Sequence, residues 1–423
     1  MINFWLSIAV FIVVYGFIIA EKYHRSVTVW VAAAAVITLG LINQKEAIEH
    51  VDFNTLLLLV GMMVIVGITR KTGVFEFLAI KAAKKVKGQP VALLVVLPLI
   101  LAVASAFLDN VTAVLLMVPI TYALTDRLDI SPVPFLFAEI IASNIGGTAT
   151  LIGDPPNIMI GSATGLGFVD FITNLGLPSL IILGVTLVIL ALIYKRELVT
   201  EPDKIESLMA LNEIDFIVEW ALLKKSLLVL GLTITGFLLH QALHLESATV
   251  ALLGAGVLML ISREDPEETL LSVEWPTIFF FAGLFILVGS LQVNGVLSYI
   301  AQNLILITGT NVPLLGTLVL WVSAVASAFI DNIPFVATMI PLLQEAGELA
   351  QIPMESIWWS LALGACLGGN GSLIGASANV IVAGIAERHG NPIKFVEFFK
   401  IGFPIMILSI IIANVYLYLA YWL

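Results

Sequence analysis

Residues 104–113 read ASAFLDNVTA, and residues 326–335 read ASAFIDNIPF. Each sets an aspartate and an asparagine, Asp109-Asn110 and Asp331-Asn332, inside an apolar run long enough to enter a membrane. The two stretches are 222 positions apart, and at that offset the halves align without a gap from about residue 52 to residue 160. Asp52-Phe53 falls on Glu274-Trp275, and Gly61, Gly67 and Gly73 fall on Gly283, Gly289 and Gly295. Pro119 meets Pro341, Gly146-Gly147 meets Gly368-Gly369, and Gly153 and Asn157 meet Gly375 and Asn379. A register held over that distance is an internal duplication.

The composition names the solvent. Of 423 residues, 60% are hydrophobic and 12% charged, about half the charge of a soluble domain. Apolar runs of roughly 17–23 residues recur along the chain, so the fold is all-α and polytopic in a lipid bilayer. The net charge of −11 is carried mainly by loops and gives no reason to expect a nucleic-acid partner. Cys366 is the single cysteine, which excludes an intrachain disulfide and a cysteine-rich metal centre. The opening MINFWLSIAVFIVVYGFIIAEKYHR has no basic n-region or small-residue cleavage site and reads as a retained first helix.

The halves are expected to run in opposite directions. Residues 70–89 carry six basic side chains and their mates at 292–311 carry none. Lys and Arg near helix ends stay cytoplasmic, so one loop faces in and the other out, the pattern of an inverted-topology repeat. The first repeat, 1–195, is read as helices near 3–20, 26–43 and 53–69, an interfacial arm at 74–87, a re-entrant hairpin at 90–125, a broken helix at 133–160 and a helix at 178–194. A polar cytoplasmic linker, 196–225, follows. The second repeat, 226–423, has helices near 226–242, 247–261 and 275–291, an arm at 294–308, a hairpin at 312–344, a broken helix at 356–386 and a last helix at 401–422. The total is about ten transmembrane helices plus two re-entrant hairpins. With the N-terminus outside, 18 of 19 Lys and Arg fall on the cytoplasmic side, Lys45 being the exception.

A hairpin tip at mid-depth is tolerated only where it lines a protein-buried cavity. Both tips are therefore expected near the midplane, where a carboxylate is expensive without a partner. Asp109, Asn110, Asp331 and Asn332 form a candidate sodium or proton site, since oxygen donors suit a hard cation. Each pair also suits the N-cap of the helix that follows it.

The second constellation is SNIGGTATLIGDPPN at 143–157 and its mate ACLGGNGSLIGASAN at 365–379. Glycines and Pro155-Pro156 interrupt a membrane helix there, freeing carbonyls and exposing a half-helix N-terminus. Thr112, Asn144, Thr148, Thr150, Asp154, Asn157, Asn370, Ser372, Ser377 and Asn379 are the added candidate ligands. Glycine-mediated close packing is the plainer alternative. Where the halves differ, Glu139 (opposite Leu361), Asp154 (opposite Ala376) and Asn144 (opposite Cys366) stand out. Asp109, Asp331 and Glu139 are the proton-carrier candidates, and Cys366 reads as packing.

Two hairpins with an asparagine tip, each followed by a broken glycine-rich helix, resemble the ion transporter superfamily over essentially the whole chain. FLDNVTAVLLMVPIT with NIGGTATLIGDPPN is most similar to the P-protein-like branch of its arsenite-permease/NhaD (ArsB/NhaD) group. Carboxylate carriers of the superfamily have a Ser-Asn-Thr tip, where this chain has Asp109 and Val111, and Asp331 and Ile333. Arsenite permeases have a first tip of reversed order, Asn-Asp. The resemblance implies a scaffold, a mobile domain made of the hairpins and broken helices, and often a homodimer.

The expected function is ion-coupled secondary active transport of a small inorganic ion by elevator-like alternating access, with sodium or proton exchange favoured. Arsenite or antimonite efflux against protons is the close second, and an organic anion carrier or a passive channel follows. An intramembrane aspartyl protease using two aspartates is the reading from another class. No cofactor is expected beyond the coupling ion. No GxxxxGK[ST] run occurs, so primary pumping of arsenite would need a separate ATPase subunit. The expected location is the cell membrane.

Overall fold

The computed structural model describes residues 2–20 and 23–423, apart from the side chain of Ile19. Met1, Glu21 and Lys22, the last counted above among the cytoplasmic basic residues, lie outside the described residues. The described chain is helical throughout, with no strand, as a bilayer requires of a chain that cannot close a barrel.

The first half comprises α1 (Ile2–Ala20), α2 (Arg25–Thr38), a short α3 (Gln44–Glu49), α4 (Phe53–Arg70), α5 (Val74–Lys85), α6 (Pro90–Leu108), α7 (Asn110–Leu128), α8 (Val133–Thr148), α9 (Pro155–Thr164) and α10 (Phe168–Tyr194). The linker holds α11 (Pro202–Met209). The second half runs α12 (Trp220–Leu239), α13 (Ser247–Ser262), a short α14 (Pro266–Leu271), α15 (Trp275–Val293), α16 (Val296–Thr308), α17 (Val312–Phe329), α18 (Asn332–Ala350), α19 (Glu355–Gly368), α20 (Ser377–Arg388) and α21 (Phe395–Leu417). Among the described residues eight helices are long and apolar enough to cross a bilayer. Three of these, α6, α7 and α17, are arms of the hairpins, while α2 and α13 are apolar but shorter.

The boundaries differ from expectation mainly at prolines. The crossing expected from 178 starts at Phe168, and Pro178 lies inside it. The last helix starts at Phe395 with Pro404 inside. In membrane helices the freed carbonyls find other partners, so proline does not mark a start there. Asp170 accepts the Gly167 N–H at 2.7 Å and fixes the true beginning of α10.

The duplication returns hydrogen bond for hydrogen bond. Ser105 Oγ donates to the Ser143 carbonyl and Ser327 Oγ to the Ala365 carbonyl, both at 2.6 Å. Thr150 donates to the Ala106 carbonyl as Ser372 does to that of Ala328. Gly73 and Gly295, which open the arms α5 and α16, both adopt φ 75°.

Contacts between the halves are reciprocal. A Cβ added at Gly61 in α4 would strike Ala251 in α13, and one at Gly283 in α15 would strike Val29 in α2. Gly67 meets Ser272 while Gly289 meets His50. In each case the second pair is the first with both partners exchanged for their repeat mates, which is what a pseudo-two-fold axis produces.

The linker is not a loose tether. Thr200 Oγ1 donates to the Leu128 carbonyl, the Val218 N–H to that of Thr72 at 3.0 Å, and Lys84 in α5 pairs with Glu213 at 2.7 Å. It thus straps the arm and the return end of the first hairpin together.

Candidate functional site

Both hairpins turn over an Asp-Asn pair, and the two turns are built differently. In the first, Asp109 alone joins α6 to α7, at φ 85° and ψ 151°. That region is nearly restricted to glycine and costs a side-chain-bearing residue about 1–3 kcal/mol. The carboxylate offsets the strain by capping α7: it accepts from the Thr112 N–H at 2.9 Å and the Thr112 hydroxyl at 2.7 Å. In the second, Thr112 is replaced by its mate Pro334, which has neither N–H nor hydroxyl to give. Asp331 caps only through the Ile333 N–H at 3.1 Å.

The remaining capacity of Asp331 goes to Arg25, at the start of α2. Arg25 Nη1 donates to Asp331 Oδ2 at 2.7 Å and to Ser377 Oγ at 2.5 Å, and Ser377 donates to the same carboxylate oxygen at 2.7 Å. The guanidinium also lies over the Phe280 ring, 5.0 Å from its centre. Tyr15 in α1 adds a bond to the Pro334 carbonyl at 2.7 Å. The second tip is thus fastened to α1 and α2, whereas the first is satisfied by its own helix. Among the described residues, Asp109 and Asp331 do not hydrogen-bond each other.

Each tip reaches a broken helix. Asn110 Nδ2 donates to Asn144 Oδ1 at 3.2 Å, and Asn144 Nδ2 donates to Asn370 Oδ1 at 2.9 Å and Asn379 Oδ1 at 3.0 Å. One buried amide therefore joins the first tip, the first broken helix and the second. Asn332 Nδ2 lies 3.3 Å from both oxygens of Asp154. Asp154 precedes α9, yet its side chain makes no cap. Pro155 and Pro156 offer no N–H to cap, so the carboxylate is left for the second tip.

Several expected ligands face elsewhere. Thr148 donates to the Asn144 carbonyl at 2.7 Å, and Thr150 and Ser372 pin the breaks to the hairpin backbones. Asn157 Nδ2 donates to the Thr148 and Thr150 carbonyls at 3.1 and 2.8 Å, and Asn379 Nδ2 to those of Gly369 and Ser372 at 2.7 and 2.8 Å. The carbonyls freed by unwinding are thus already taken by asparagine staples. Cys366 donates its thiol to Asn157 Oδ1 at 3.6 Å. Glu139 is fully buried away from the tips, bonded by Thr121 at one oxygen, with its Oε2 unpartnered.

Between the tips lies a cavity of about 20 Å³, lined by Arg25, Asp109, Asn110, Asp154, Glu274 and Asn332 among others. That space holds about one water or a monatomic ion. A larger vestibule of about 610 Å³ adjoins it, sharing Arg25, Glu274, Thr277 and Ser377 and adding Asp331. Among the described residues, no three His, Cys, Asp or Glu side chains stand close enough to share a metal ion. Arg25 and Glu274 escaped the sequence reading. Arg25 sits in the basic EKYHR run that the topology rule already explains. Glu274 entered only as the repeat mate of Asp52, and Asp52 does cap α4 while the Glu274 side chain caps nothing. That difference was the available signal.

The pattern of a family described as citrate transporter, CitMHS, matches residues 15–364. The chain belongs to this family. An uncharacterized transporter of Mycobacterium tuberculosis is 44% identical over 99% of this chain and 98% of its own length. The human P protein is 37% identical over 98% of this chain, which spans 60% of that protein. The crystal structure of the YdaH transporter of Alcanivorax borkumensis, described as having an unusual topology, superposes with a TM-score of 0.58 at 14% identity, covering 92% of this chain and 88% of that one. It shares the fold. The chain is an integral membrane transporter of the ion transporter superfamily, in keeping with its ArsB/NhaD-like tip sequences.

Proposed function

We propose that the chain is a secondary active transporter that exchanges a small cation, sodium being the first choice, for protons by alternating access. One observation carries the reading. The 20 Å³ cavity between the tips is walled by three acidic residues, Asp109, Asp154 and Glu274, against one arginine. Such a site attracts a monatomic cation or protons and repels a polycarboxylate, which is also too large for it. Asn110 and Asn332 also line it, and carboxamide oxygens suit a hard cation. In this reading the hairpins and broken helices move against α1, α2, α4 and their repeat mates in a homodimer, with the N-terminus outside the cell membrane and the linker in the cytoplasm.

A second reading has its own support. The vestibule of about 610 Å³ has the size of an organic-ligand pocket and exposes Arg25 at its floor. An organic anion, in keeping with the family's description, would bind there with the inner cavity holding its coupling ion.

Liposomes enclosing a pH dye separate these readings. Sodium, lithium, potassium, arsenite and citrate gradients are imposed in turn on wild type and on Asp109→Asn/Asp154→Asn. Proton movement driven by a monovalent cation, and lost in the double variant, supports exchange. Movement driven only by citrate or only by arsenite transfers the assignment to that cargo.

A further inference from the structure

Arg25 is the one basic side chain lining either cavity beside the tips apart from His24, and it belongs to the scaffold side of the proposed machine. Its pairing with Asp331 uses a single nitrogen, Nη1, for both acceptors. The other donors of the fork have no protein partner among the described residues, so the pair lacks the two-pronged geometry of the strongest arginine–carboxylate contacts. The pair is also not sealed: the Arg25 side chain is 27% exposed and that of Asp331 13%. A second carboxylate, Glu274, lines the same two cavities. It feels the charge of Arg25, yet no ion pair joins them, and its one hydrogen bond comes from Thr277 at 3.3 Å. Arg25 thus has one seat occupied and another vacant within the same space.

We propose that Arg25 is a tethered competitor for the cargo cation: it neutralises Asp331, which lines the vestibule, while the site is empty, and swings toward Glu274 when a cation on its way to the inner cavity takes Asp331. The consequence is mechanical as well as electrostatic. While Arg25 holds Asp331 and Ser377, the second tip and the start of α20 are fastened to α2, and the mobile elements are locked. Cation arrival removes the fastening to α2 and leaves the Tyr15 bond to α1, so movement follows loading. An empty carrier with a bare Asp331 would leave a half-buried charge unpaired, which is costly in a bilayer. The arginine removes that cost without filling the cavity. The first tip needs no such device because Thr112 satisfies Asp109 locally.

This inference rests on the cation reading, and the test separates the two. Binding of sodium, lithium and potassium to detergent-purified protein is measured by calorimetry for wild type, Arg25→Gln, Arg25→Lys, Glu274→Gln and Arg25→Gln/Glu274→Gln. Hydrogen exchange over residues 331–338 is followed in cation-free buffer. The apparent Kd is the intrinsic Kd divided by the fraction of sites open to the ligand, so a competitor seated most of the time weakens binding roughly tenfold or more. Arg25→Gln is therefore expected to bind the cation about tenfold tighter and to exchange faster at the tip. Arg25→Lys should stay near wild type. Glu274→Gln should bind more weakly, having lost a wall of the inner cavity as well as the arginine's second seat, and the double variant should bind more tightly than Glu274→Gln alone. A merely structural arginine would not give that reversal. Unchanged or weaker binding in Arg25→Gln, with the wild type binding normally, overturns the competitor role alone. A wild type that binds none of the three cations overturns the cation reading and this inference together.

Discussion

Asn144→Ala tests whether one amide joins the halves. Asn144 is fully buried and makes three side-chain hydrogen bonds, to Asn110, Asn370 and Asn379. Truncation strands the Asn110 donor and two carbonyl oxygens. The two oxygens cannot turn away, because Asn379 Nδ2 is fixed on Gly369 and Ser372 and Asn370 Nδ2 points to the Ile141 carbonyl. Each stranded buried group costs about 1–3 kcal/mol. The sum is roughly 3–9 kcal/mol, and a water entering the space vacated by the amide returns part of it, so a loss near 3 kcal/mol is expected. Asn144→Asp should fare no better, since a carboxylate cannot donate to Asn370 and Asn379. The assay is reversible unfolding in mixed detergent–SDS micelles, followed by tryptophan fluorescence. Ser409→Ala is the control: that hydroxyl is equally buried but only bonds back to Ile405 in its own helix at 2.7 Å. If Asn144→Ala unfolds within about 1 kcal/mol of Ser409→Ala, the amide network does not hold the halves together and the reasoning fails.

Other substitutions separate close packing, strapping and buried polarity. Gly146→Ala would put a methyl on the Ala102 backbone and should destabilise by about 1–3 kcal/mol. Gly184→Ala in α10 meets nothing and should gain about 0.5–1 kcal/mol in the same unfolding assay. Thr121→Val removes the one hydrogen bond to the Glu139 carboxyl among the described residues and should cost about 1–3 kcal/mol. Adding Glu139→Leu should restore most of that loss, because the second half buries Leu343 and Leu361 at the two matching positions. At the linker, the Lys84 hydrogen bond holds the Glu213 carboxyl below its ordinary value of 4.5. A depressed carboxyl contributes stability above the unfolded value and loses it as pH falls through the folded one. Limited proteolysis of the linker should therefore accelerate below about pH 4.5 in wild type, and be fast and pH-independent in Glu213→Gln.

Legibility followed the physics of each feature. The hairpins and breaks could be read because lipid permits irregular backbone only at special places and the duplication marked those places twice. Ligand and staple could not be told apart. Thr150, Asn157, Ser372 and Asn379 have the residue types of an ion site, yet their donors are spent on backbone carbonyls, and the two asparagine oxygens accept from Cys366 and Asn144. Sequence shows which atoms can coordinate, not which are already engaged. Arg25 was hidden for a different reason: its role depends on a carboxylate 306 positions away, and the topology rule had already accounted for its charge. The start of α10 was missed because Pro178 breaks helices in water more reliably than in protein packed within lipid.

The two-fold repeat and the chemistry occupy different residues. What the halves share is frame: the reciprocal glycine contacts, the serine bonds between hairpin and broken helix, and the asparagine staples. Beyond the tip aspartates and the Asp52–Glu274 pair, what they do not share is charge. Asp154 faces Ala376 in the alignment, Glu139 faces Leu361 and Thr112 faces Pro334, and the same offset carried upstream sets Arg25, at the start of α2, on Ser247, at the start of α13. A reason follows from the size of the central cavity. About 20 Å³ already sits among three acidic residues. A second copy of Asp154 at position 376 would add another carboxylate next to Gly369 and the Asn144 amide, with no further arginine to balance it. Symmetry is thus affordable in the backbone, where each repeated contact adds packing, and not at the centre, where each repeated charge adds repulsion. The Thr112–Pro334 difference then decides which tip is self-sufficient and which depends on the scaffold, so one substitution beside a duplicated motif gives a symmetric frame two unequal ends.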